Sequence, residues 1–402
     1  MNNAGYAAVW LLVFVIPLES SIFIMGVGTL GRVVGIFAMG VGLFFLLALK
    51  QEFRFHALLW FMLIFVLLNA TSMFWTIAPE NTYKRAFSYF QLLMMMWLIL
   101  QWCDKENKVH GLYLAFVLGS LGLACGVLNQ FLSGTMDERI SAYNFNPNEI
   151  ASILSLSIPF AWYLFLKKGP LRWLCLASIP AIGQAMLLTG SRAGLVKGLL
   201  GAAFIVLTPP KGMRRSWPFI VGGASLVILA SVSVFLPEKT LDRLLTVQTE
   251  LASGNLGGRG EIWSLGLEGF AHHPIWGVGA GSFSRTMSSY FPLAKAPHNV
   301  FISILVDLGL VGLIIFGIMT FIVARSVLKL KDIDLKLWIF VLSIWFSCIM
   351  TSNWEWRKQM WLIMILSVTH SLNAISKSKI TINGYEDLNM AKRIQFKAIE
   401  LN

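Results

Sequence analysis

The chain has 402 residues, of which 56% are hydrophobic and 13% charged, with a formal net charge of +12 and a mean hydropathy of +0.70. A soluble domain of this length carries about 25% charged residues, so a soluble protein, with or without a single anchor, is excluded, and no nucleic-acid partner is expected. The positive charge has meaning only once it is sorted by membrane side.

In chain order, the first apolar run begins at Tyr6. Met1 to Leu18 lacks a basic leader and a small-residue cleavage site, so it is expected to be a retained span rather than a removed signal. A crossing helix needs about 20 apolar residues. The runs that offer one are 6–24, 32–49, 57–74, 87–102, 109–131, 150–166, 171–188, 194–208, 217–236, 300–324, 336–352 and 358–374. The fold expected is an all-α integral membrane protein of about 12 transmembrane helices, a single polytopic domain over 1–374 with a tail over 375–402. An even number of spans puts both termini on one side.

The basic residues choose that side. With Met1 in the cytoplasm, Lys50, Arg54, Lys105, Lys108, Lys167, Lys168, Arg172, Lys211, Arg214, Arg215, Arg325, Lys329, Lys331, Lys336 and the five cations of the tail are inside, 19 of the 32 Lys and Arg. That satisfies the positive-inside rule, and the reverse orientation breaks it at almost every short loop. On the outer side there are two substantial connections, Leu132–Glu149 and a long one of about 60 residues over roughly 237–298. A connection of that length without low complexity is usually functional. Within it a helix over Glu261–Ala271 is expected, with Ile262, Trp263, Gly266, Leu267 and Phe270 on one apolar face, suited to lying on the membrane or capping the bundle.

Three outer features can carry chemistry. Thr189-Gly190-Ser191-Arg192-Ala193-Gly194 sets one Arg among small residues, where a guanidinium and backbone amides can hold a phosphate. Arg259 stands where a glycine-rich turn meets a helix start, a favourable place for an anion. Pro297-His298-Asn299 brings an imidazole to the entry of the next span, where a neutral ring can act as a general base. The bland readings are a turn with an interfacial Arg, a solvated Arg and an interfacial His. Gly277-Val278-Gly279-Ala280-Gly281 has the look of a phosphate loop, but no strand precedes it, so no dinucleotide site is expected. Neither a DxD nor an HExxH pattern occurs, His272 and His273 point to different helix faces, and Cys103, Cys125, Cys175 and Cys348 are scattered singly. No metal, disulfide framework or cofactor is expected. Asp307, alone within a span, calls for a partner or a role in the site.

The run R-G-E-I-W from Arg259, G-V-G-A-G-S-F from Gly277 and P-H-N-V-F from Pro297, preceded by T-G-S-R-A-G and by the loop Asn144–Asn148, resembles the O-antigen ligase superfamily. Its hallmarks are an Arg in the large periplasmic loop, a P-x-x-G-x-G-x-G turn and His-Asn before the next span. The resemblance spans roughly 140–315. It implies a GT-C-like glycosyltransferase in the bacterial inner membrane that moves a glycan from an undecaprenyl-diphosphate donor to a sugar hydroxyl of lipid A–core oligosaccharide on the periplasmic face. It also implies that Arg192 and Arg259 stabilise the leaving diphosphate, that His298 takes the acceptor's proton, and that the anomeric centre inverts without a metal. Lys84 and Arg85 at the start of the fourth span, Asn299, and Arg357 with Lys358 at the start of the twelfth are further substrate-binding candidates, the alternative for the two basic pairs being interfacial anchoring to anionic lipid. A monomer is the expected working unit. Polymerisation of O-antigen or exopolysaccharide is the alternative within the superfamily. Transfer to protein ranks third, and transport ranks low because Asp307 is the only mid-span candidate.

Overall fold

The structure, a computed structural model, describes residues 3–26, 28–134, 140, 142–143, 145–169, 171–223, 259–287 and 296–377. Asp137, Glu138, Asn144, Gly257, Gly258, most of the expected ninth span and the tail after 377 lie outside the described residues.

Every long element is a helix. In chain order they are α1 (Ala4–Val15), α2 (Leu30–Ala48), α3 (Ala57–Thr71), α4 (Pro79–Trp102), α5 (Glu106–Leu132), α6 (Pro147–Leu166), α7 (Arg172–Leu188), α8 (Arg192–Leu207), α9 (Arg259–His272), the short α10 (Phe283–Met287), α11 (Val300–Val327) and α12 (Asp332–Thr351). A last helix, α13, covers 358–377. Residues 217–223 of the expected ninth span are helical. Among the described residues, six helices are long and apolar enough to cross a membrane: α2, α3 with its one-turn extension to Phe74, α5, α6, α11 and α12. α1, α7 and α8 are shorter.

The first span ends earlier than its hydropathy suggests. Pro17 turns the chain into a 3-10 turn over Ile16–Leu18, and Phe23–Ile24 then pairs antiparallel with Gly28–Thr29. Three of the four cysteines are buried, as small apolar residues should be, whereas Cys125 is exposed on α5.

One continuous apolar core runs through the bundle, from Val9 of α1 to Val368 of α13. Polar contacts gather at its two ends. At one end, Lys167 binds Asp334 at 2.9 Å, Lys377 binds Glu106 at 2.8 Å, and Arg54 reaches the carbonyl of Leu100 at 3.0 Å. These residues all belong to segments expected in the cytoplasm. His110 and His370 also lie there, within reach of Glu106. The indole N–H of Trp338 donates to Nδ1 of His370 at 2.8 Å, so the neutral ring carries its proton on Nε2. The other end collects Glu19, Arg85, Glu149, Arg192, Arg259, His298 and Arg357, all from segments expected outside.

Candidate active site

The outer ends of three helices are built by their own capping residues. Asn146 accepts the N–H of Asn148 at 2.9 Å to start α6, with Pro147 at the first helical position. Ser191 accepts the N–H of Gly194 at 3.1 Å to start α8, and Asn299 accepts the N–H groups of Phe301 and Ile302 at 2.9 and 3.2 Å to start α11. Three helix N-termini, each with partial positive charge, therefore open at this end of the molecule. The hydroxyl of Ser191 also donates to Oδ1 of Asn148 at 2.8 Å, which docks the T-G-S-R-A-G turn on the N-P-N loop and brings Arg192 beside the start of α6.

His298 is held from three sides. Its backbone N–H donates to Oδ1 of Asn353 at 2.6 Å, the preceding carbonyl of Pro297 accepts the indole N–H of Trp263 at 2.8 Å, and the next residue is the cap of α11. The backbone of His298 is left-handed, with φ of 48°, a conformation that costs a non-glycine residue about 1 kcal/mol or more unless its surroundings fix it. The half-buried imidazole has its pKa lowered, first by burial and then by the Arg259 guanidinium nearby. Burial also lowers the pKa of Arg259, although an arginine stays charged throughout the physiological range. The structure thus brings Arg259 and His298 together, through α9 and its tether to Pro297.

Helix α9 is longer than expected, Arg259–His272, and it caps the bundle. Ile262, Gly266 and Gly269 are buried, and Ile262 clusters with Val278, Phe283, Met287 and Val306, joined by Leu265, Phe270 and Ile302. Leu267, expected on the apolar face, is 45% exposed, so the buried face is rotated toward α10 and α11.

The glycine-rich turn 277–281 serves the scaffold. Helix α11 breaks at Gly309, whose φ is 64°, and a side chain there would meet the Ile275 carbonyl at 2.2 Å. At the break the carbonyls of Val306 and Asp307 accept the N–H groups of Val278 and Gly279 at 3.0 and 2.9 Å. The Asp307 carboxylate accepts Gly281 N–H at 2.7 Å and Phe283 N–H at 2.8 Å, and the Ser72 hydroxyl accepts Ala280 N–H at 3.1 Å. With these amides engaged, none is left to cradle a phosphate. Asp307 has a structural partner of high quality, which answers what a carboxylate does inside this span.

The remaining candidates have other surroundings. Arg85 lies 3.3 Å from Glu355 and stacks on Trp356 at 3.7 Å, while Glu355 accepts the Ser303 hydroxyl at 2.8 Å. Arg357 grips both carboxylate oxygens of Glu149 at 2.7 Å and lies 3.6 Å from Glu19, which Lys358 also binds. Arg85 and Arg357 thus clamp the turn between α12 and α13 onto α4 and α6, and their charge is largely matched within the fold. Lys84 is exposed and pairs with Glu80 one helical turn away. Sequence reasoning missed Asn353, Glu149 and the buried Lys197. Asn353 lies in a short turn with no motif of its own, and its contact with His298 spans 55 residues.

Beside this cluster a cavity of about 530 Å³ opens between α2 and α4, lined by Met39, Phe90, Met95 and Leu98, with Arg357 and Lys358 at its rim. Glu19 lies in the same lining and pairs with both of those cations, so the slot is apolar with a charge-matched rim.

Residues 176–317 match the profile of the family described as O-Antigen ligase, and that one stretch contains Arg192, Arg259, His298 and Asp307. Over that stretch the chain is similar to the O-antigen ligase/polymerase superfamily. It is also 25% identical, over 279 residues, to the exopolysaccharide production protein ExoQ of Rhizobium meliloti (strain 1021). The similarity covers 62% of this chain and 61% of that relative's length. Superfamily members are glycosyltransferase-like enzymes acting on polysaccharides. In this chain Arg259 and His298 lie near each other at one end of an all-α bundle.

Proposed function

We propose that this protein belongs to the O-antigen ligase/polymerase superfamily and is an O-antigen ligase of the bacterial inner membrane, active on the periplasmic face. It takes polysaccharide from undecaprenyl diphosphate and joins it to a sugar hydroxyl of lipid A–core. The observation that carries the reading is the pairing of a rigidly held, half-buried His298 with Arg259 at the end where three helix N-termini open. His298 stays neutral near pH 7 and accepts the proton of the acceptor hydroxyl as its oxygen attacks the anomeric carbon. The bond from that carbon to the diphosphate oxygen breaks, and the diphosphate gains negative charge. Arg259 and Arg192 stabilise that charge, so the clamp supplies electrostatically what a metal supplies elsewhere. Single displacement by the hydroxyl inverts the anomeric centre.

A second reading, polymerisation, is favoured by the name of the relative, an exopolysaccharide production protein. Its chemistry on these residues is the same, and only the acceptor differs, being the growing chain on a second carrier lipid. One reconstitution separates the two. The purified protein is mixed with undecaprenyl-diphosphate O-antigen and lipid A–core in the presence of EDTA. Ladder-like lipopolysaccharide, lost in His298→Ala and Arg259→Ala proteins that remain folded, is the expected result. Longer glycan on the carrier lipid with no product on lipid A–core overturns ligation in favour of polymerisation.

A further inference from the structure

Lysine 197 lies inside α8 with 0% of its surface exposed, a place where an ammonium without a partner is costly. Its Nζ donates to the Ser152 hydroxyl at 2.7 Å. Ser152 donates in turn to the Asn148 carbonyl at 2.8 Å, and Asn148 holds Ser191. A hydrogen-bonded chain therefore runs from Lys197 to the turn that carries Arg192. Lys197 is five residues beyond Arg192 on one helix, about 7–8 Å along the axis, and side chains on a helix lean toward its N-terminus, here the outer end. Among the described residues no carboxylate acts on Lys197. Two groups bear on it: the Cys348 thiol, which is hydrogen-bonded to it, and Arg259, the same guanidinium that bears on His298. Lys197 and Arg259 repel each other, and an anion bound near both would relieve that repulsion.

We propose that Lys197 is a third cation of the diphosphate site, binding from below, within the span, the anionic group that Arg192 and Arg259 bind from above. This rests on the lipid-diphosphate reading given above and adds a residue to it. The ammonium replaces water around the leaving group, so the site is complete only when the donor is seated. A site with three cations favours a ligand of high negative charge over a neutral lipid.

The test uses the full chain in detergent, with geranylgeranyl diphosphate as probe and geranylgeraniol as its uncharged control, for wild type, Lys197→Met and Lys197→Arg. Lys197→Met is expected to lose about tenfold or more in diphosphate affinity, to leave binding of the alcohol unchanged, and to keep or raise the thermal midpoint, because an isolated buried charge is removed. Lys197→Arg restores part of the affinity. A lysine that only braces α8 against α6 would instead lower the midpoint and leave the ratio of diphosphate to alcohol affinity where it was. If Lys197→Met fails to fold, Lys197→Gln, which keeps a donor for Ser152, takes its place. Wild type that binds the diphosphate no better than the alcohol overturns the lipid-diphosphate reading and this one with it. Wild type that prefers the diphosphate, with Lys197→Met preferring it equally, overturns this inference alone.

Discussion

At the scale of single residues, the geometry of His298 suits the general-base role proposed for it. Its backbone is fixed by Asn353 and by the cap at Asn299, and burial together with Arg259 disfavours the imidazolium. Because the folded pKa lies below the ordinary value of about 6.5, the ring is neutral at pH 7 and protonates only in more acidic solution. The transfer rate should therefore be level through neutral pH and fall only below about 6.5 as pH drops. A rate that already falls between pH 8 and 7 would assign the base to another group. Arg259→Gln should move the His298 titration upward, read by NMR of the labelled imidazole, since a nearby positive charge is removed. His298→Ala should reduce the rate by about 10²–10⁴, with its thermal midpoint close to wild type.

At the scale of elements, the break in α11 and the glycine turn form one joint. The turn donates backbone N–H groups to the opened carbonyls of α11 and to the Asp307 carboxylate, and it also packs on the junction of α3 and α4. Gly279 has φ of 100°, and a side chain there would meet Thr76 at 2.4 Å. Gly279→Ala should therefore lower stability by about 1–3 kcal/mol. Asp307→Ala, which leaves two buried amides unsatisfied, should lower it by about 2 kcal/mol or more. Thermal unfolding in detergent measures both, and midpoints equal to wild type would show that the joint is not a point of strength. The Arg357–Glu149 pair ties α13 to α6 in the same way. Each single alanine variant should be less stable, and the double variant less destabilised than the sum of the two, because the partner left behind loses its counter-charge.

At the scale of the whole molecule, the charged contacts of the bundle gather at two ends. Lys167, Asp334, Glu106 and Lys377 meet at one end, whereas Glu19, Glu149, Arg357 and Lys358 meet at the other. The compartment each end faces is tested by labelling in a protein whose native cysteines are replaced. Tyr83→Cys, at a side chain 66% exposed, should react with an impermeant maleimide from the periplasm. Lys168→Cys should react only after the inner membrane is opened. The reverse pattern would turn the molecule over and put His298 in the cytoplasm.

The sequence determined the class of molecule, because the length and spacing of apolar runs follow directly from the thickness of the bilayer and from the need of each span to satisfy its own backbone. It also marked Arg192, Arg259 and His298, because the ordered motifs around them are local in the chain. The pairing of His298 with Arg259 is not local, and neither is its backbone bond to Asn353. Only the folded chain brings those segments together. Hydropathy placed the apolar face of α9 but not its rotation, since Leu267 and Ile262 are equally apolar and only packing against α10 and α11 distinguishes them. The same holds for the charges. Arg85, Arg357 and Lys197 look alike as cations near the outer ends of spans, yet the tertiary structure gives the first two a carboxylate and gives Lys197 a serine and a thiol, because what a buried charge does depends on which neighbour is within a few ångströms.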